Sequence, residues 1–447
     1  MKKIEIIYIL LLSVFLATSC DNDLDQIPPK DLESSALTEY EPVLFAAYYY
    51  QTGASTPLLI MGDFRADNMQ MIEEPYPAFD RFNADLAGGD LVEQFFRPFY
   101  SNLYKAILSA NNVIDNSADD TEISEAYFLR ALSYFKLVTV FGDVTINLSP
   151  TPNTSDLSIL ERQPADDVYN NIIIPDLQAA ISGLTNSEIS EGRASQLAAQ
   201  ALLGKVYMYR GNYNSAAPLL AGVVNNAGGV GVTLEPDFAN VVVDENSEVI
   251  FATKFSSSIS DAYSFASEFP IWFSGADTKS PLPLDPDLTA AFDESSANAG
   301  ATDLRKDLTI DEVNNTGIKY TGALEQDHIE MRLSDFILMH AEALNETTNA
   351  TGAQSATILA LLDDIRSRAG LPSLVGTATT QAEVRTAIAK ERRLELALEG
   401  HRWFDLVRTN TVDEEMGEVI NSNYYIFPIP TSEITATNSV ITQNPGY

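Results

Sequence analysis

A single cysteine in 447 residues, Cys20, excludes an intramolecular disulfide and any CxxC metal or redox site. Histidine is nearly as scarce. His328, His340 and His401 have no ligand-like spacing, so neither a zinc centre nor any other metal or cofactor is expected. Basic residues are few as well, with 27 Lys and Arg against 63 Asp and Glu and a formal net charge of −36. Such a surface cannot neutralise many phosphates, which argues against nucleic acid and against anionic lipid head groups. Catalytic signatures are missing too: there is no HExxH, no GxSxG, no P-loop and no GxGxxG after a strand. Carboxylate pairs carry no argument for a glycosidase, because among 63 acidic residues every spacing occurs somewhere. No enzyme is expected.

What is present begins at the N-terminus. Lys2 and Lys3 precede an apolar run over residues 6–16, too short to span a bilayer comfortably, and Ala17, Thr18 and Ser19 are small. Residues 1–19 thus read as a secretory signal. Small residues running into Cys20 resemble a bacterial lipoprotein box, which makes Cys20 the lipidated N-terminus of the mature chain. Acyl chains there would anchor a water-soluble protein, at roughly 0.8 kcal/mol per buried CH₂. The acidic residues Asp21, Asp23 and Asp25 resemble the signal that sends Bacteroidetes lipoproteins to the cell surface, and residues 20–36 form the tether.

The remaining chain is organised around residues 192–227. Ala194, Leu197, Ala198, Ala201, Leu202 and Val206 form one 3.6-residue stripe. Tyr213, Ala216, Ala217, Leu220, Ala221 and Val224 form another beyond Gly211 and Asn212. Two such helices make an αα-hairpin, similar to a tetratricopeptide repeat. Pro218 predicts that the second helix starts nearer Ser215, since proline is tolerated only in a first turn. Further helical patterns cover 38–48, 92–114 (with Pro98 near its start), 122–141, 164–184 (kinked or broken at Pro175), 329–344, 354–369 and 381–399. Residues 62–89 read as a long structured loop, and 226–326 as an irregular insertion with a few short strands. The expected fold is mainly α, with about four helical hairpins (residues 37–225 and 327–447) supporting a loop-rich ligand subdomain within one domain, 37–447.

At residues 391–408 (ERRLELALEGHRWFDLVR) the chain resembles the SusD/RagB-like outer-membrane nutrient-binding lipoproteins. Residues 332–345, 365–371 and 443–447 (QNPGY) resemble them too, as do 125–142, 192–194 and 427–430. These motifs are structural: buried Arg and Glu on helices must pair, which places Arg402 and Trp403 in the core. The resemblance implies a binding protein seated over a SusC-type TonB-dependent transporter at the outer-membrane surface, which captures oligo- or polysaccharide and passes it inward. It also implies peptide as an alternative ligand, as in RagB-like members.

In relatives, sugar contacts come from the early loop and the insertion, here residues 62–89 and about 261–286. Sugars present flat C–H faces that aromatic rings match, while amides and charged groups take the hydroxyls. Trp272, the one tryptophan outside the structural motifs, is the leading platform, beside Phe273, with Tyr76, Phe79 and Phe82 as secondary candidates. Arg65, Asp67, Asn68, Arg81, Asp277 and Lys279 are the nearby polar groups suited to hydroxyls or a uronate. Asp67 and Asn68 have a second possible role, bracing the loop.

Overall fold

Amphipathic stripes bury themselves by pairing, and here they pair in series along the chain. The structure, a computed structural model, describes residues 39–447 except 153–155, 188, 190–191, 256–267, 275–282, 321–324 and 349–350. The expected signal, the tether with Cys20, and Asp277 and Lys279 lie outside the described residues. Helices α1 (Glu41–Tyr49) and α2 (Thr52–Asp63) pack on α3 (Arg97–Asn116), and α3 packs on α4 (Asp120–Phe141). The series continues through α5 (Ile174–Gly183), α6 (Gln196–Tyr209) and α7 (Tyr213–Ala227), each on its predecessor. Beyond α8 (Pro286–Ala299) it resumes with α9 (Leu333–Thr348) on α7 and α10 (Gln381–Glu395) on α9, and α11 (Arg402–Thr409) returns to α2. Side-chain caps start several of these helices. Asp119 accepts from the Thr121 and Glu122 amides, Asn212 from Ser215, and Thr380 forms a capping box with Glu383.

The prolines behave differently from expectation. Pro218 lies well inside α7, which starts at Tyr213; both Pro218 and Asn214, whose carbonyl loses its helical partner, face solvent. Pro98 and Pro175 each occupy the second residue of a helix, preceded by the π-helical turns Val92–Phe96 and Tyr169–Ile173. The wider turn carries the helical path through to each proline, so neither segment breaks.

Helix α2 lies where the spacing predicts no helical pattern, and two further segments differ from expectation. Residues 328–332 form a strand, β2 (His328–Arg332), antiparallel to β1 (Val249–Thr253), with Val249 opposite Arg332 and Thr253 opposite His328. Tertiary pairing overrides the helical period there. The insertion also contains the regular helix α8, capped by Asp285 and closed by Gly300 in the left-handed region, with only Leu288 and Phe292 buried. Two buried positions in 14 residues give almost no periodic signal. Residues Glu41–Tyr447 form one compact unit.

Buried ion pairs join insertion to scaffold. Arg332 donates to Glu248 (2.9 Å), Glu395 (2.7 Å) and Glu399 (2.7 Å). Arg305 donates to Asp303, Glu391 and Glu395, while Lys319 reaches Glu399 and the carbonyls of Glu395 and Ala397. The charged residues of the 391–399 segment therefore point inward, Glu391, Glu395 and Glu399 compensated by cations and Arg392 and Arg393 by carboxylates from elsewhere in the chain.

Candidate functional site

The two segments expected to carry ligand meet. Met69 forms a β-bridge with Leu284, the Gln70 amide donates to the Pro283 carbonyl (2.8 Å), and the Asp285 amide donates to the Asn68 carbonyl (3.0 Å). Gln70 Nε2 adds a bond to Asp285 Oδ2 (2.9 Å). A backbone ladder thus sets one edge of the early loop against the start of α8.

The loop base is held by α10 and α11. Asp67 accepts both Arg402 Nε and Nη2 at 2.7 Å, and Arg393 Nη2 lies 2.9 Å from it. Burial would push this carboxyl up, but Arg402 and Arg393 hold it below the usual range. Asn68 Nδ2 donates to Asp63, whose other oxygen accepts the Gly400 amide (2.5 Å). Burial raises the Asp63 carboxyl to about 6. Asp67 and Asn68 thus brace the loop.

Arg65 is fully buried. Its Nη1 donates to the Phe79 carbonyl (2.6 Å) and Nη2 to the Tyr424 carbonyl (2.8 Å), and its guanidinium lies 4.5 Å from the Phe82 ring centroid. Phe82 has φ = 45° and stacks on Trp403 at 5.5 Å and 26°. A phenylalanine in the left-handed region costs free energy that this stacking offsets.

Trp272, expected as an exposed platform, is 1% exposed. The short helix Phe269–Ser274 packs on α2, and the indole sits edge-on against Tyr76 (5.3 Å) and Phe95 (5.4 Å). Phe273 is likewise buried, stacked between Phe64 and Tyr320, and Phe79 is buried against Phe95. An apolar helix with no exposed face belongs in a core, and Phe79 is as deeply buried, so these three rings offer no surface to a sugar. Tyr76 and Phe82 remain partly exposed, and the Tyr76 hydroxyl donates to Gln94 (3.1 Å). Arg81 is exposed and paired with Glu74. Sequence reasoning missed Tyr424 and Tyr447, half-exposed rings 5.4 Å apart beside Arg65. Only the tertiary contact between C-terminus and early loop reveals them.

Asp80, between Arg65 and Asp285, has its carboxyl raised to about 7 by burial, which Arg65 only partly opposes. A carboxyl raised in the folded state binds a proton that the unfolded chain has released, so stability falls as pH rises from about 4 to about 7. Asp80→Asn should leave stability near pH 4 unchanged and raise it at pH 8 by about 1–3 kcal/mol. Urea titrations of both proteins at the two pH values measure this. Equal stabilities at pH 8 would contradict the burial argument.

Among the described residues no three His, Cys, Asp or Glu side chains converge as a metal site, and no helix is long and apolar enough to cross a membrane. Comparison with known proteins adds a lineage. Residues 293–423 match the SusD family, and 76–208 match a family described as starch-binding and associating with the outer membrane. Two SusD-like proteins of Formosa agariphila are each 26% identical to this chain; the matches cover 78% of this chain and 80% of the relative in one case, and 96% of both in the other. A laminarin-binding SusD-like protein superposes with a TM-score of 0.69 at 27% identity, over 92% of this chain and 99% of that one. A SusD homologue from Bacteroides thetaiotaomicron shares the fold with a TM-score of 0.74 at 20% identity, over 93% and 99% of the two chains.

Proposed function

We propose, from the premise that this chain belongs to the SusD/RagB-like family, that it is a cell-surface glycan-binding lipoprotein that delivers saccharide to a SusC-type TonB-dependent transporter. The observation that carries the proposal is the joining of the early loop to the insertion through residues 68–70 and 283–285, on a base clamped by Arg402 and Arg393. A pre-formed loop face loses little entropy on binding, which suits capture of a flexible polymer. Its partly exposed rings, Tyr76 and Phe82, supply C–H stacking, and Arg81 and Asn83 beside them offer polar contacts. The laminarin-binding neighbour makes a β-glucan the first ligand to try. Cys20 is the proposed lipid attachment point, and the outer-membrane surface the proposed location.

Native gels containing laminarin, alginate, starch or xylan test the proposal. Retardation by one of these glycans, with no sugar product released, is the expected result. Retardation by none, with peptide co-purifying, would replace the glycan by a peptide, and release of product would make the protein an enzyme.

A further inference from the structure

A cavity of about 290 Å³ lies in the scaffold, between the first residue of α7 and helices α9, α10 and α11. Its size is at the lower end of the roughly 300–1,000 Å³ typical of small-molecule sites. It reaches Asn68 at the loop base, but its walls are helical. Ile388, Ala389, Leu396 and Leu406 give it an apolar lining.

Arginines dominate the polar lining, and all but Arg408 are only partly satisfied. Arg385 uses Nε and Nη2 on Glu346, Arg393 uses them on Asn68 and Asp67, and Arg402 uses them on Asp67 and Glu415. The Nη1 of all three makes no hydrogen bond to a described residue. The buried Nη2 of Arg392 also has no partner. Arg385 is exposed, so water takes its spare N–H, whereas those of Arg392, Arg393 and Arg402, buried or half-buried, call for an acceptor.

Charge decides which acceptor. Five arginines line the cavity (385, 392, 393, 402 and 408), faced by Glu342, Glu346, Asp405 and Glu415, with Asp67 and Asp335 behind them. His401 on the wall is neutral at pH 7, its imidazole lowered to about 4 mainly by burial. With Lys205 also on Asp335 (3.2 Å), six cations against six anions leave no surplus for an anion, while spare N–H groups over an apolar floor suit hydroxyl and ring oxygens above a C–H face. We propose that this cavity is a second saccharide site, which holds a single neutral pyranose unit independently of the loop face.

Saturation-transfer NMR of the full chain with millimolar D-glucose, D-galactose, D-mannose and D-xylose, and with D-glucuronate as the anionic probe, tests this. At least one neutral sugar should receive saturation. Ala389→Phe, which fills the cavity without removing an ion pair, should reduce that transfer at least fivefold, and Arg385→Gln should also weaken it. If Ala389→Phe fails to fold by circular dichroism, Arg385→Gln decides. The Tyr76→Ala/Phe82→Ala variant should retain the transfer, which separates this site from the loop face. No transfer to any neutral sugar, transfer unchanged in the cavity variants, transfer lost with the loop rings, or stronger transfer to glucuronate than to glucose would overturn the proposal.

Discussion

Replacing Glu395 with alanine should destabilise the protein by roughly 3–5 kcal/mol, read as a lower urea midpoint. Glu395 is fully buried and accepts from Arg332 (2.7 Å), Arg305 (3.3 Å) and Arg368. The network around it balances Arg305, Arg332, Arg366, Arg368 and Lys319 against Glu248, Asp303, Glu391, Glu395 and Glu399, five charges of each sign. Losing one carboxylate strands a cation in a dry interior. Burial alone would raise the Glu395 carboxyl, but Arg368, Arg332 and Arg305 bring it far below the ordinary range, and Glu399 is lowered to about 2. Both are depressed relative to the unfolded chain, so their stabilisation is complete above about pH 4.3 and is lost as pH falls through the folded values. The variant should therefore show a shallower acid transition as well as a lower midpoint. A midpoint shift worth under about 1 kcal/mol would mean that the network is not what joins insertion to scaffold.

Gly62→Ala should be as damaging, through backbone contact. A Cβ on Gly62 would lie 2.0 Å from the Gly400 carbonyl oxygen and 2.5 Å from its Cα. No side chain can rotate away, so α2 must lift off the 396–400 turn, at an expected cost of about 3 kcal/mol or more. The damage should reach the loop, because the Asp63 bond to the Gly400 amide and the Asn68 bond to Asp63 both depend on that approach. Gly222, within α7 and with open space around it, is the control: Gly222→Ala should be neutral or stabilising by up to about 1 kcal/mol. Unfolding curves that place Gly62→Ala beside this control would contradict the close packing.

Sequence reasoning recovered the scaffold because its signals are local. The stripes of α6 and α7 follow from residue spacing alone. That the early loop and the insertion both carry ligand is expected only through the family resemblance, and that they meet is a finding of the structure. Other features depend on contacts between distant residues. Arg402 and Asp67 are 335 positions apart, and nothing in either neighbourhood names its partner. Residues 329–332 have a helical period and become a strand because β1 lies alongside. The FPIWF segment looks the same whether it faces a ligand or a core, and its burial against Tyr76 and Phe95 follows from where the Phe269–Ser274 helix enters the fold. Trp272 therefore offers no platform, and Tyr76 and Phe82 are the rings of the early loop that stay partly exposed.

The central claim is that a rigid scaffold presents this loop face to a glycan. Its most direct test is the gel mobility of the Tyr76→Ala/Phe82→Ala variant in the glycan that retards the wild-type protein, with folding checked by circular dichroism. The variant should migrate as it does in a glycan-free gel. Retardation equal to the wild type in a folded variant would place the ligand elsewhere on the molecule.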